Sequence, residues 1–362
     1  MTPGLPPEPP PLVVLSAPAR TNHGAGLIGL DGEALLACWY SGRSEAGPDA
    51  RILCARSGDA GRTWAEPQAV STPRETALGA PAPAKSVGNV VLARDAGGRL
   101  AMISGEVQSR RIAGLETCKS WRCGRIDFRV STDLGHSWSA PTRLDDRPGA
   151  LPRSRPLRWA GQDLLPVYQE AGRASVLALD LAALTPGQRP AAAPQPIPAR
   201  TPLIQPTLAA PARAGEPARA YMRDPRRRFV YVSAYDAAAG RWSPAEPTDL
   251  PNPGAAIEAF RDGAGRIVLI HNPGRKDRRR LSLAFSMDGA HFAEGCDLSA
   301  PGAHGEAAYP AVTPMAAGAW GVAFSIEDKR RIAFARLDAA FLDACAAAAT
   351  SRALSPPGAP SS

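Results

Sequence analysis

One phrase recurs along this chain and limits what it can fold into: a Gly-centred turn followed by four to six mostly apolar residues. It stands at Asp31-Gly32 before ALLACWY, at Gly97-Gly98 before RLAMIS and at Gly161 before QDLLPVY. It returns at Gly215 before EPARAYM, at Gly265 before RIVLIHN and at Gly318 before AWGVAFS. The six copies are spaced by 49 to 65 residues and fill the chain. A unit repeated at such a period cannot bury its own apolar face and must pack against its neighbours. With 34 Gly and 38 Pro in 362 residues, long helices would be interrupted every few residues, so a helical solenoid or bundle is excluded.

A second phrase interleaves with the first. Ser57, Asp59, Gly61, Thr63 and Trp64 fit S-x-D-x-G-x-[S/T]-W, and so do Ser131, Asp133, Gly135, Ser137 and Trp138. Ser286, Asp288, Gly289 and Phe292 form a worn copy, and Ser233, Asp236, Gly240 and Trp242 a longer, degraded one. In such a box the Ser and Asp side chains bond backbone groups across a tight turn, Gly supplies positive φ, and the aromatic packs beneath. Short β runs flank each box: ARILCAR, RIDFRV, RFVYV and LSLAF. A turn and strand every 49 to 65 residues, with a hairpin between the outer strands, reads as a four-stranded propeller blade. The expected fold is therefore all-β, a six-bladed β-propeller of four-stranded antiparallel blades. Residues 12–345 form the single propeller, with the ring closed by pairing of 12–15 with 331–337. Residues 1–11 are a Pro-rich N-terminal segment, 186–198 a long inter-blade connection, and 346–362 a disordered tail.

The formal net charge is +8, and the excess is arginine, since Lys occurs only at Lys85, Lys119, Lys276 and Lys329. Arginine clusters can bind nucleic-acid phosphates or fork onto the carboxylate of an acidic small substrate. No basic stretch interleaved with aromatics is present, so nucleic acid is not the expected partner. No apolar run approaches the length of a membrane span. The N-terminus lacks the basic and apolar regions of a signal peptide, so the chain as written is expected in the cytoplasm, or in the periplasm or medium if the true start lies upstream. A monomer is expected. Cys38, Cys54, Cys118, Cys123, Cys296 and Cys345 are scattered and are expected to be free buried thiols. Neither they nor the histidines have metal-ligand spacing, and no dinucleotide, phosphate-loop or zinc-hydrolase motif is present, so no metal or cofactor is expected.

The two intact boxes are Asp-box, or BNR, repeats, and the sequence around them resembles the sialidase-like Asp-box family over roughly residues 20–340. LLACWYSGRSEAGPDARILCARSGDAGRTWAEP resembles a first sialidase blade, and LPNPGAAIEAF with GRIVLIHNPG and RRRLSLAFSMDG a later one. GEAAYPAV with WGVAFSIEDKRRIAFARLD resembles the last. The resemblance implies a site on the propeller axis. There three arginines clamp a sugar carboxylate, a Tyr attacks the anomeric carbon, a Glu assists it and an Asp is acid/base. A neutral phenol suits an anomeric centre crowded by a carboxylate, where an anionic nucleophile would be repelled.

Carried onto this chain, the resemblance makes Tyr309 the nucleophile, although Pro310 follows it where the family has Ser. Arg223 falls at the second arginine, and Arg279, or its neighbours Arg278 and Arg280, at the third. The first arginine belongs to an R-I-P motif that is absent here, leaving only Arg20. Asp49 falls near the acid/base position, with Glu45 in the same loop as the alternative and Arg43 as an accessory arginine. Gln205 stands where the glutamate partner of the Tyr is expected, and Glu170, ending its strand, could replace it. His23 and Asn89, on the first two blades, and Asn252 and Asn272, in the two N-P-G turns, complete the expected substrate-binding set.

The leading expectation is an exo-acting glycoside hydrolase that removes a terminal acidic sugar, sialic acid or a uronic acid, from a glycan. A lyase acting on a uronate polysaccharide is the alternative enzyme. A non-catalytic propeller binding a glycan or a protein is the alternative outside catalysis.

Overall fold

The apolar run after each Gly-centred turn forms the second strand of a sheet: Leu35–Gly42, Leu100–Val107, Gln162–Gln169, Arg219–Arg223, Ile267–His271 and Trp320–Ile326. These strands are apolar on consecutive residues because each sheet is covered on both faces by its neighbours, which leaves no solvent face to alternate toward. Leu100–Val107 is buried at every position. The computed structural model describes residues 6–108, 111–112, 115–116, 120–299 and 304–354. Six antiparallel sheets carry the six repeats and form a six-bladed β-propeller.

The innermost strands are Thr21–Gly29, Ser86–Arg94, Ala150–Pro152, Ile204–Ala209, Glu258–Arg261 and Ala308–Pro314, in blades one to six. Closure is by the strand expected from the sequence. Val13 and Val14 lie opposite Phe334 and Ala333, so the N-terminus supplies the outer strand of the last blade. The stretch 186–198 is not wholly a connection, since Pro194–Pro196 pairs with Arg173–Leu179 as the outer strand of blade three.

The Asp boxes form as the sequence implies. Asp59 accepts from the Thr63 amide at 2.9 Å and the Thr63 hydroxyl at 2.6 Å, while Ser57 Oγ takes the Gly61 amide at 2.9 Å. Asp133 and Ser131 repeat this pattern with Ser137 and Gly135. The boxes also join blades. Trp64 packs edge-on against Phe334 of blade six at 5.3 Å. Gly61, at φ +84, lies so close that a Cβ would meet Phe334 Cε1 at 2.1 Å. Trp138 of blade two packs among Leu36 and Cys38 of blade one. The worn box of blade five accepts the Tyr221 hydroxyl of blade four at the Gly289 carbonyl, 2.9 Å.

Two expectations are corrected. The tail is not loose from residue 346: Ala339–Leu354 is an α-helix, and its Leu342, Cys345, Ala346 and Ala349 join the core of blades five and six. Residues 355–362 lie outside those described. Nor are the cysteines free thiols. Cys38 bonds Cys54, Cys296 bonds Cys345, and Cys123 is disulfide-bonded as well. Cys38 and Cys54 are directly opposite one another on adjacent strands of blade one, which puts the two sulfurs in reach. Cys118 lies outside the described residues.

Candidate active site

Four of the six inner strands carry the same defect at the same place. The register slips between His23 and Gly26, Gly88 and Val91, Ile204 and Thr207, and Ala308 and Ala311. Within each slip one residue is left-handed: Gly24 (φ 64), Asn89 (φ 48), Gln205 (φ 53) and Tyr309 (φ 61). A bulge re-aims its side chain and ends regular pairing. Three non-glycine residues held at positive φ also cost backbone energy that a functional site can justify. Those three, with His23 beside the fourth bulge, were all singled out in the sequence.

Tyr309 is the centre of the group. Its hydroxyl accepts from Arg223 Nη1 at 3.1 Å, and its ring lies 4.1 Å from that of His23, tilted 63°. Four cations surround the ring: Arg153 at 5.4 Å, Arg278 at 5.7 Å, Arg223 at 5.8 Å and Lys329 at 6.0 Å from its centroid. Arg223 and Arg278 both donate to the Gly254 carbonyl, at 2.7 and 2.9 Å, so one turn of blade five holds the pair side by side.

The electrostatics separate three buried phenols. Burial pushes Tyr40 and Tyr168 well above the ordinary tyrosine range, with Glu45 and Glu170 respectively adding to it. Burial acts on Tyr309 in the same sense, but Arg223, Arg278 and Lys329 outweigh it and hold this phenol below its usual value. His23 is kept neutral by burial and by the same cations, Lys329 foremost. Its Nδ1 shares a hydrogen bond with Ser325 Oγ at 2.8 Å.

Besides Glu306, whose carboxylate lies 3.9 Å from Arg278, Glu45 meets this cluster. Its Oε1 accepts from the Tyr40 hydroxyl and from Lys329 Nζ, each at 3.1 Å, and lies 3.6 Å from His23 Nε2. Lys329 is delivered by a hairpin turn in which Glu327, Asp328 and Lys329 are all left-handed, at φ 52, 55 and 68. Asp49 faces away. Burial pushes its pKa up, but the bonds it accepts from the Arg43 amide at 3.0 Å and Arg43 Nε at 3.1 Å, with the Arg43 charge, together outweigh that and hold it below the usual carboxylate range. Arg43 is itself mostly exposed.

Not every expected residue reaches the axis. Arg20 is exposed ahead of the first inner strand. Of the three consecutive arginines, Arg278 enters the site. Arg279 is exposed, and Arg280 turns outward to a two-pronged pair with Asp297 at 2.9 and 3.0 Å. Asn252 and Asn272 are wholly buried behind the arginines. Asn252 accepts the Ala255 amide of the Gly254 turn, and Asn272 donates to the carbonyls of Arg278 and Ala307. They shape the arginine loops instead of facing a ligand. Gln205 Nε2 and Asn89 Nδ2 both donate to the Tyr168 hydroxyl, at 3.2 and 3.4 Å. Glu170 is half-buried at the end of its strand, close enough to act electrostatically on both Tyr168 and Arg223.

Arg153, Lys329, Tyr40 and Tyr168 were missed. Arg153 follows a three-residue strand, and Lys329 sits in a hairpin with no motif of its own. The one usable signal was chemical: Lys329 is one of only four lysines in an arginine-rich chain. Trp121 adds an aromatic wall, 5.9 Å from Tyr40, over Gly88, where a Cβ would stand 2.7 Å from its ring. Among the described residues no cluster of three or more His, Cys, Asp or Glu could hold a metal ion.

The sequence matches the BNR repeat-like domain family over residues 33–322. The chain belongs to this family. Sialidases share its fold. The NanB sialidase from Streptococcus pneumoniae superimposes with a TM-score of 0.68 at 13% identity, covering 92% of this chain and 71% of that one. The intramolecular trans-sialidase from Ruminococcus gnavus does so at 0.67 and 11% identity, covering 90% and 96%. A Trypanosoma rangeli sialidase gives 0.65 and 14%, covering 90% and 56%. No curated protein matches the chain in sequence. As a BNR repeat-like protein the chain thus has a sialidase-like propeller, with an axial site built from its own set of residues.

Proposed function

We propose that this BNR repeat-like protein is a glycoside hydrolase that removes a terminal acidic sugar, a sialic acid or a uronic acid, from a glycan. The observation that carries this reading is Tyr309. It is the one buried axial phenol whose proton is loosened, and it stands beside two arginines shared by a single turn. In the proposed reaction Arg223 and Arg278 take the sugar carboxylate as charge-assisted hydrogen-bond donors. The Tyr309 oxygen, which gives its proton to solvent under the pull of Arg223, Arg278 and Lys329 and later departs again as phenolate, attacks the anomeric carbon as the bond to the leaving oxygen breaks. Glu45 gives that oxygen its proton and later takes one from the water that releases the sugar. Tyr40 and Lys329 orient Glu45 for both steps. Asp49, committed to Arg43, keeps its charge and does not donate.

Gln205 supports a second reading. It occupies the bulge of blade four, cannot serve as a base, and bonds Tyr168. Among the described residues no carboxylate hydrogen-bonds the Tyr309 hydroxyl. In a uronate lyase Tyr309 would instead take the proton α to a carboxylate neutralised by the arginines, and the leaving oxygen would depart with formation of a carbon–carbon double bond.

A panel of umbelliferyl sialosides and uronides, with Tyr309→Phe as control, separates the outcomes. Release of umbelliferone from one sugar class, lost at least 100-fold in the variant, supports hydrolysis. An ultraviolet-absorbing unsaturated product from a uronate polymer supports the lyase. Binding without turnover of either substrate in the wild type would leave a lectin-like propeller. The disulfides add a compartment. Paired cysteines are rare in reducing cytoplasm, so an oxidising compartment, where extracellular glycans are met, fits better than the cytoplasm expected from the N-terminus.

A further inference from the structure

Arg153 is the least explained charge in the molecule. It is 2% exposed, and it lies in the axial core with Gly26 and Val91, Glu258 and Val312, which come from blades one, two, five and six. Blade three stands opposite blade six in a six-membered ring, so this side chain crosses the axis. Its Nη2 donates to the Pro310 carbonyl at 2.7 Å, and its Cζ is the nearest of the four cations to the Tyr309 ring. Nε and Nη1 have no hydrogen-bond partner, and no carboxylate oxygen is within ion-pair distance among the described residues. A buried, unpaired guanidinium is costly and needs a reason.

The bond to Pro310 supplies one. Pro310 follows Tyr309 inside the bulge of blade six, where Tyr309 is left-handed at φ 61. The residue before a proline is restricted to extended backbone in an ordinary chain, so this conformation has to be held from outside. We propose that Arg153 is a positioning residue for Tyr309: it pins the Pro310 carbonyl, thereby fixes the bulge that aims the phenol, and keeps a permanent cation against the ring from below. Glu258 modulates it. That carboxylate is buried between Arg153 and Arg155, with Oε1 accepting from Thr207 Oγ1 at 3.0 Å.

The role matters for turnover only if Tyr309 reacts as proposed above, but its test needs no substrate. The phenol of Tyr309 is titrated by ultraviolet difference between each protein and its Tyr309→Phe counterpart. The other charged or titratable groups facing the phenol, Arg223, Arg278, Lys329, Glu45, His23, Tyr40 and Tyr168, stay in place throughout. Arg153→Met should raise the midpoint by about one unit or more, as expected for removing a cation at this distance in a partly desolvated site. Arg153→Lys should restore part of that shift. Glu258→Gln, which keeps size and leaves Arg153 less compensated, should move the midpoint the other way. A folded Arg153→Met variant with an unshifted midpoint overturns the proposal and leaves Arg153 a structural cross-brace. If that variant does not fold, an unchanged midpoint in Glu258→Gln overturns it instead. A shifted midpoint with no turnover on any acidic glycoside would sink the hydrolase reading alone.

Discussion

His271 shows how one buried side chain ties this propeller to pH. It ends the second strand of blade five with no exposed surface, and burial, aided by Arg280, lowers its pKa from 6.5 to about 4. The unfolded chain therefore binds a proton below pH 6.5 that the folded protein refuses. The stability tied to a neutral His271 is fully present above that pH and is lost as pH falls toward about 4. A shift of this size corresponds to about 3 kcal/mol. His23, lowered for the same reason, adds to the slope in the same direction. Urea unfolding between pH 7 and pH 4 should show a steep fall in the wild type and a shallower one in His271→Leu; equal slopes would remove His271 from the account. At this scale the sequence was legible where a residue closed a recognisable phrase. Tyr309, Arg223, Gln205 and Asn89 all lie where strand motifs put them. It was not legible for Arg153 and Lys329, because what brings them to Tyr309 is the crossing of the axis and a left-handed hairpin. Neither is a neighbour relation along the chain. The choice among Arg278, Arg279 and Arg280 was also beyond reach: Asp297 draws Arg280 outward, and that contact exists only in the folded blade.

Among the elements, the Asp boxes and the inner-strand bulges divide the work. The boxes were readable because each of their bonds is local, from Ser, Asp, Gly and Trp within eight residues. That they also join blades was hidden, since Phe334, the partner of Trp64, is supplied by the far end of the chain. Gly61 is the point where both jobs meet. Substituting Ala there forces a Cβ into Phe334 on backbone held at φ +84, and should cost roughly 2–4 kcal/mol. Gly58 sits in the same box with nothing within 4 Å of a built Cβ, and Gly58→Ala should leave the melting temperature nearly unchanged. Equal losses in the two variants would mean that the seam between blades one and six is not where this box contributes. The bulges had a fainter mark in the sequence. Pro206 and Pro310 each follow a bulged residue, and a proline inside an inner strand signals interrupted pairing.

The whole molecule depends on its closure, and two covalent or non-covalent ties act there in different ways. The first is the N-terminal strand. Val13 and Val14 cover the third strand of blade six, Leu15 is buried against it, and Ser16 Oγ accepts the Ile332 amide at 3.0 Å. The second is the Cys296–Cys345 bond, which fastens the C-terminal helix to blade five across 49 residues of chain. Removing the disulfide by Cys345→Ser relaxes the unfolded state and should lower stability by about 4 kcal/mol at most. The ring stays shut, so the protein should remain monodisperse. Deleting residues 1–17 does something else. It uncovers Arg331–Leu337, whose Ile332 and Phe334 belong to the core, as a bare strand edge, and an exposed edge pairs with another chain. That variant should both melt earlier and self-associate with rising concentration, as read by light scattering beside calorimetry. Because blade six also carries Tyr309 and Lys329, the same deletion should displace the Tyr309 titration, while Cys345→Ser, acting through blade five and the helix, should leave it in place. Truncated protein that self-associates no more than the full chain, with an unaltered phenol, would show that the ring closes without its first strand.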